Sequence, residues 1–271
     1  MRQRVLTALA LLPLAIGAVL GLPTGWFMSL TACVLLGGMW EWSRLAGLPR
    51  PHQRGLVLLL HASIMAALAH FGWPQAFPAV VAAGVLWWLL ASAWLARPGW
   101  ASDRNRGNAL LKTLAGLFMS VPAWAAVALL HGHPSEGPRW LLFALALVWA
   151  TDSAAYFVGS RLGRRRLAPA ISPGKTWAGF WGGFGGALVL TLLAAPLLDV
   201  PHDRLPALGL LALTTALAAV VGDLFESLIK RHSGAKDSGA MIPGHGGMMD
   251  RLDSLLSALP VFALGRLWLG L

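Results

Sequence analysis

Apolar runs of roughly 20 residues recur along the whole chain, and each is long enough to cross a bilayer as an α-helix. Of the 271 residues, 57% are hydrophobic and only 12% are charged. Soluble domains carry about twice that share of charge. The sequence therefore predicts an all-α, polytopic membrane protein. We expect residues 1–271 to form a single integral membrane domain, because the connections between the runs are too short to fold separately.

The apolar runs predict about nine transmembrane helices. The first run begins with a basic front and an apolar centre, as a signal peptide does. We expect it to stay in the protein as the first span, because its retention gives the more consistent charge topology. The predicted spans cover approximately residues 5–22, 25–42, 55–72, 77–96, 111–131, 139–159, 177–198, 205–229 and 254–271.

The basic residues predict how these spans are oriented. With the amino terminus in the cytoplasm, the inner connections and helix ends hold all of the 21 Lys and Arg residues except Arg139, Arg204 and Arg266. Such a bias follows the positive-inside rule. The net charge of +10 is then explained by membrane topology, and we expect no nucleic acid partner. Cys33 is the single cysteine of the sequence, so an intramolecular disulfide is excluded.

The few acidic residues are concentrated near the carboxyl end, around KDSGAMIPGHGGMMDRLDS, residues 236–254. Asp223 and Glu226 lie at the inner end of the eighth predicted span, and Asp250 and Asp253 lie at the start of the ninth. Acids within apolar spans are costly and usually functional. Glycines let backbone amides approach phosphate oxygens, and carboxylates together with phosphates commonly hold Mg²⁺.

These features predict a phosphate-and-metal site at the cytoplasmic membrane surface. The alternative is a polar loop whose charges pair among themselves. His245 lies inside the glycine-rich loop, and it could be either a functional residue of such a site or an ordinary polar residue of the loop.

A second polar cluster precedes the seventh span. It contains Asp152, Tyr156, the basic run 161–166 and SPGKTWAG, residues 172–179. A Walker phosphate loop would need glycine at Pro169 and a preceding strand, and we expect neither. Instead, Ser172, Lys175 and Thr176 come just before a predicted helix start, where backbone amides and the helix dipole attract anions.

Two further patterns favour structural roles. WAGFWGGFGG, residues 177–186, spaces pairs of glycines four apart, which predicts close packing between helices. His131, His133 and Glu136 could hold a metal ion, but their short, outward-facing loop favours the absence of such a site.

The segment SLIKRHSGAKDSGAMIPGHGGMMDRLDS, residues 227–254, resembles the signature of the phosphatidate cytidylyltransferase (CDP-diacylglycerol synthase) family. GDLFES at 222–227, the region of Asp152 and Tyr156, and SPGKTW are also similar to that family. The resemblance is sharp over approximately residues 150–271, which we take as the catalytic half. The matching signature positions are Ser227, Lys230, Arg231, Lys236, Asp237, Gly239, Pro243, His245, Gly246, Gly247, Asp250, Arg251 and Asp253.

The resemblance implies a homodimeric integral membrane enzyme that uses Mg²⁺ to make CDP-diacylglycerol and pyrophosphate from CTP and phosphatidate. It further implies a bacterial inner-membrane location with the active site facing the cytoplasm. Carried over by position, Asp223 and Asp250 would hold the metal. The implied catalytic residues are Ser227, Lys230, Arg231, Lys236, Asp237, His245, Arg251 and Asp253. Those implied for nucleotide and substrate binding are Asp152, Tyr156, Ser172, Lys175, Thr176, Gly246 and Gly247.

One departure and two alternatives stay open. The family often has SPKKTWEG where this chain has Gly174 and Ala178, so the roles of those two positions do not carry over. A transporter could keep acids in its spans to couple ions or protons, although nearer the middle of the membrane. Another CTP-dependent membrane enzyme could act on a polyprenol or an archaeal-type lipid.

Overall fold

A computed structural model describes residues 2–134, 136–242 and 246–271, with side chains from residue 12 onward. Over these ranges the chain is almost entirely helical, which confirms the predicted all-α class. A π-helical turn, Leu68–Gly72, extends α3, and short 3₁₀ turns at Ala195–Leu198 and His202–Arg204 connect α7 to α8. The helices are α1 (Arg2–Gly21), α2 (Thr24–Leu45), α3 (Pro51–Ala67), α4 (Phe77–Leu95), α5 (Arg106–His131), α6 (Gly137–Leu162), α7 (Trp177–Ala194), α8 (Leu205–Ser233) and α9 (Met249–Leu269).

Seven helical segments within the described residues are long and apolar enough to cross a membrane. A shorter apolar stretch, Leu12–Gly21, lies within α1. The chain is therefore an integral membrane protein, while the count of nine spans and the cytoplasmic amino terminus stay predictions. The seven segments are Pro51–Gly72, Phe77–Leu95, Arg106–His131, Gly137–Leu162, Trp177–Leu198, His202–Ser233 and Met249–Leu269.

The basic residues predicted to lie outside come together at one end of the helix bundle. Arg139 Nη1 lies 3.1 Å from Asp199 Oδ2, and Arg266 Nη2 lies 3.6 Å from Glu136 Oε2. Arg204 donates to the carbonyl oxygen of Leu269 at this same end. The fold therefore groups these three residues as the charge pattern did.

A two-stranded hairpin interrupts the helices between α6 and α7. Strand β1 (Arg166–Ala168) pairs antiparallel with β2 (Ser172–Thr176). The expectation that no strand precedes Pro169 was wrong, because β1 ends at Ala168. The hairpin is nevertheless not a Walker loop, because SPGKT itself is a strand paired with β1. Thr176 caps α7, since its hydroxyl oxygen accepts from the amide of Gly179 at 3.1 Å.

The predicted glycine packing is found between α6 and α7. A Cβ added at Gly179 would lie 3.3 Å from Gly159 Cα, and one added at Gly182 would lie 2.5 Å from Val158 Cβ. Gly186 faces Ala154 in the same way. These small residues let the two backbones approach, and α7 is thereby held against the helix that leads into the hairpin.

We predict that Gly182→Ala lowers the stability of the protein, whereas Gly185→Ala does not. The added methyl of Gly182→Ala would overlap Val158, and overpacking of this kind costs roughly 1–3 kcal/mol. At Gly185 nothing lies within 4 Å of the added methyl, so the better helix propensity of alanine leaves stability equal or higher. Thermal unfolding of both variants in detergent checks the prediction, and equal loss in both would contradict the packing role.

Candidate active site

The carboxyl-terminal half of α8 and the amino-terminal half of α9 approach closely, and this approach brings their acidic residues together. A side chain at Gly222 of α8 would collide with the hydroxyl of Ser257 and the carbonyl oxygen of Asp253, both on α9. Ser257 Oγ also donates to Ala218 O across the contact at 2.7 Å. Glycine at 222 is therefore required for this helix crossing.

Aromatic side chains of α2 and α4 also hold α8 in place. Phe225 is fully buried, and its ring contacts those of Trp42, Trp88 and Trp94 at centroid separations of 6.1, 5.9 and 5.3 Å. Trp88 Nε1 additionally donates to Leu256 O of α9 at 3.0 Å. This packing fixes Phe225 and consequently its neighbour Glu226.

Lys230 joins α8 to α9 through two carboxylates. Its Nζ lies 2.6 Å from Glu226 Oε2 and 2.6 Å from Asp250 Oδ1. Glu226 is completely buried, and a buried carboxylate is strongly unfavourable unless a cation or hydrogen-bond donors compensate it. Lys230 therefore makes it possible for Glu226 to be ionised where it lies.

Lys175 connects the hairpin to α8. Its Nζ lies 2.5 Å from Asp223 Oδ2, and Ser227 Oγ donates to Asp223 Oδ1 at 3.3 Å. Arg231 Nε also reaches the hairpin, where it donates to Ile171 O at 3.2 Å. The Lys175 and Asp223 side chains remain 24% and 30% exposed, so a ligand can reach this pair.

Asp152 and Asp253 complete a cluster of carboxylates around these lysines. Asp152 interacts electrostatically with Asp223 and Lys175. Asp253 interacts in the same way with Asp223, Glu226 and Lys175. The fold thus gathers residues from α6, β2, α8 and α9 that are widely separated in sequence, and it gives a region rich in both signs of charge.

The glycine-rich loop closes on Asp250. The amides of Ser238 and Gly247 donate to Asp250 Oδ2 at 3.0 and 3.1 Å. Gly246 adopts φ +84°, a conformation that favours glycine, and its carbonyl oxygen accepts from the amide of Ile242 at 3.0 Å. In this structure the loop amides therefore bind a carboxylate of the protein itself.

Other predicted residues lie at the margins of this cluster. Lys236, Asp237 and Arg251 are exposed on the loop and at the start of α9. Tyr156 is 71% exposed, with its ring against Phe157. Ser172 begins β2 opposite Ala168. His245, together with its neighbours at 243 and 244, lies outside the described residues.

The described carboxylates offer oxygen ligands for Mg²⁺ but do not enclose it. Within residues 2–134, 136–242 and 246–271, no group of three or more His, Cys, Asp or Glu side chains is placed to hold a metal ion. Mg²⁺ is commonly bound by one or two carboxylates together with substrate phosphates and water, so such an enclosure is not required. Glu226 Oε1 is buried without a hydrogen-bond partner, which leaves an acceptor in the cluster.

Asp223 and Asp250, the predicted metal ligands, occupy different parts of this network. Asp223 pairs with Lys175, whereas Asp250 is bound by Lys230 and the loop amides. Their assignment to one metal ion stays a prediction.

His131, at the end of α5, and Glu136, which precedes α6, have packing contacts. His131 is buried, its Nε2 lies 2.9 Å from Val19 O, and its ring stacks on Phe27 at 4.5 Å. Glu136 contacts Trp140 Nε1 and Arg266. The absence of a metal site at His131, His133 and Glu136 stays a prediction.

Sequence reasoning missed two residues of α2 that contact the loop. Glu41 accepts hydrogen bonds from Ser238 and Met249, and Arg44 Nη2 donates to Ser238 O at 2.6 Å. The available signal was an acid near the end of an apolar run, which is unusual by itself. The partners of Glu41 lie about 200 residues away in sequence, so no local sequence pattern indicated the contact.

Comparison with known proteins agrees with the resemblance in the carboxyl-terminal signature. The sequence model of the cytidylyltransferase family matches residues 2–267. A phosphatidate cytidylyltransferase of Pseudomonas aeruginosa is 39% identical over 269 residues, which cover 99% of this chain and 97% of the relative. One of Haemophilus influenzae is 34% identical over 280 residues, with 97% of each chain covered. The chain thus belongs to the cytidylyltransferase family.

Proposed function

We propose that this protein transfers the cytidylyl group of CTP to phosphatidate, giving CDP-diacylglycerol and pyrophosphate. The observation that carries the proposal is the meeting of Lys175, Lys230 and five carboxylates at one end of the apolar helices. A lipid phosphate can reach a cluster at the end of the membrane helices from the bilayer, and a nucleoside triphosphate can reach it from water. The matching relatives carry the same activity in their names.

The reaction requires charge compensation more than proton transfer. A phosphatidate oxygen attacks the α-phosphorus of CTP in line, the bond to the β-phosphate oxygen breaks, and pyrophosphate leaves. The nucleophile is already ionised, so no strong general base is needed. Catalysis of phosphoryl transfer depends mainly on positioning and on electrostatic stabilisation. Lys175 is suited to this task, since its ammonium group is partly exposed and lies on the hairpin at the edge of the cluster.

Mg²⁺ is the cofactor we propose, with Asp223 and Asp250 as its first ligands and Asp253 beside them. When bound, the ion would reduce repulsion between the reacting phosphate groups. The lysine partners of these aspartates would then be released toward the phosphates. Lys230 would keep its contact with the buried Glu226, and Lys175 would be free to bind a phosphate oxygen.

We further propose a homodimer in the bacterial inner membrane, with the active site facing the cytoplasm. The charge pattern supports this orientation. The hairpin and the glycine-rich loop both contribute residues to the cluster, and both carry Lys or Arg residues that the positive-inside rule places in the cytoplasm. The bacterial origin of the relatives supports the membrane assigned.

The first prediction concerns the reaction itself. Purified protein given phosphatidate and Mg²⁺ should move label from [α-³²P]CTP into extractable lipid, whereas label from [γ-³²P]CTP should appear in pyrophosphate. A polyprenyl phosphate and an archaeal-type dialkyl lipid serve as competing acceptors. Transfer to one of these in place of phosphatidate, or transfer of the γ-label to lipid, would contradict the proposal.

The second prediction concerns Lys175. Lys175→Ala should lower kcat/KM by roughly 10-fold or more, because a cation near the transferring phosphate is lost. Its thermal stability should change little, since the pair with Asp223 is partly exposed. Arg50→Ala is the matched control, as Arg50 is an exposed cationic residue of the amino-terminal half. Equal activity of Lys175→Ala and the control would remove Lys175 from the site.

The third prediction concerns the metal ligands. Asp223→Asn and Asp250→Asn should each abolish transfer, and the double variant should lose little more than one, because residues that act as a unit are not additive. A chelator should abolish wild-type activity and Mg²⁺ should restore it. Asp199→Asn, at the opposite end of the bundle, is the control. Mg²⁺-dependent turnover in Asp250→Asn would show that this ligand is misassigned, and Asp253 would be the next to test.

A further inference from the structure

Glu41 is a buried acid of α2, and its hydrogen-bond partners among the described residues all belong to the loop 238–249. It is 4% exposed. Its Oε2 accepts from Ser238 Oγ at 3.0 Å and from the amide of Met249 at 3.0 Å, and its Oε1 accepts from the amide of Met241 at 3.3 Å. Glu41, about 200 positions away in sequence, is therefore the second protein carboxylate that this loop binds, beside Asp250.

Two loop glycines leave the space that the Glu41 carboxylate fills. A Cβ added at Gly239 would collide with that carboxylate. A Cβ added at Gly247 would collide with Ser238 Oγ and would lie 2.6 Å from Glu41 Oε2. The absence of side chains at these positions is thus explained by close approach to a carboxylate of the protein.

The carboxylate also meets the amino end of α9. Met249 is the first residue of that helix, and its amide is among those that have no partner within the helix. A negative charge is favourable at this position because of the helix dipole. The buried Glu41 in turn needs these donors, since an uncompensated buried charge is very unfavourable.

Ser238 links this anchor to Asp250. Its hydroxyl oxygen lies 3.0 Å from both Glu41 Oε2 and Asp250 Oδ2, and it accepts from the amide of Asp250 at 3.2 Å. One turn after Glu41, Arg44 donates to the carbonyl oxygen of Ser238 at 2.6 Å. Displacement of Glu41 would consequently be felt at Asp250 through a single intervening residue.

We propose that Glu41 is a positioning residue, which fixes the glycine-rich loop and thereby sets the place of Asp250. Its effect on turnover rests on the proposed cytidylyl transfer, whereas its effect on the loop does not. Glu41 is not a catalytic residue, because both carboxylate oxygens are directed to donors of the loop.

Hydrogen exchange of backbone amides, measured by mass spectrometry on the detergent-solubilised protein, tests the anchor without any substrate. Glu41→Gln keeps the shape of the side chain but removes its charge, so exchange across 238–249 should quicken by about 10-fold or more. Exchange in the middle of α8, around residues 210–220, should stay as in the wild type. Glu136→Gln, at the opposite end of the bundle, should leave the loop unchanged.

Turnover is the second measurement. Glu41→Gln should lower kcat by about 10-fold or more while KM for CTP changes by less than about threefold, and Glu41→Asp should recover part of the loss. If Glu41→Gln does not fold, Ser238→Ala replaces it, because that variant removes the hydroxyl link and leaves both carboxylates in place. It should quicken loop exchange and lower kcat in the same way.

The outcomes separate this proposal from the one on which it rests. Unchanged loop exchange in the folded variant, or faster exchange with unchanged kcat, would overturn the positioning role. If the wild-type protein shows no cytidylyl transfer but Glu41→Gln still quickens exchange of the loop amides, the anchoring role of Glu41 stands and the proposed reaction is rejected.

Discussion

The burial of carboxylates where the carboxyl end of α8 meets the amino end of α9 is the constraint on which the rest of the site depends. Glu226 is completely buried, and Lys230 lies 2.6 Å from it and 2.6 Å from Asp250. Removing such a cation would leave an uncompensated charge in an apolar surrounding. The helix crossing at Gly222 and the aromatic rings around Phe225 hold α8 and α9 close enough for Lys230 of α8 to reach Asp250 of α9.

From this bridge the ionic contacts extend in two directions. On one side, Asp250 leads through Ser238 to Glu41, so the amino-terminal part of the chain takes part in forming the site. On the other side, Asp223 and Lys175 connect α8 to the hairpin. The two sides differ in exposure, since Glu41 is buried whereas Lys175 and Asp223 are partly open. We infer that the first side maintains the geometry and that the second meets the nucleotide.

Much of the fold and part of the site could be predicted from the sequence. Apolar runs predict helices because the backbone N–H and C=O groups inside a membrane must form hydrogen bonds with one another. The glycine spacing of 177–186 indicated the close packing of α7. The α9 helix begins at Met249, earlier than expected, because glycines and polar residues conceal its first turn. The hairpin was missed because three- and five-residue strands give almost no periodic signal.

The partners of the loop could not be predicted for a different reason. Carboxylates and phosphates are both anions that accept from backbone amides, so glycines suited to one are suited to the other. The family resemblance implies a role in nucleotide or substrate binding for Gly246 and Gly247. In the structure the Gly247 amide donates to Asp250, and the lack of a side chain at Gly247 leaves space for the Glu41 carboxylate. Such a pairing depends on how α2 packs against α9, which no local pattern encodes.

The dependence of the buried Glu226 on Lys230 is tested most directly by a double-mutant cycle of unfolding free energies at these two residues. Unfolding free energies should be measured in detergent for Lys230→Met, Glu226→Gln and the double variant. Lys230→Met alone should lose about 3–5 kcal/mol, because Glu226 is left buried and unpaired. The double variant should recover most of that loss, since the buried charge is then absent. A double variant that is as unstable as the sum of the two single variants would contradict the dependence of Glu226 on Lys230.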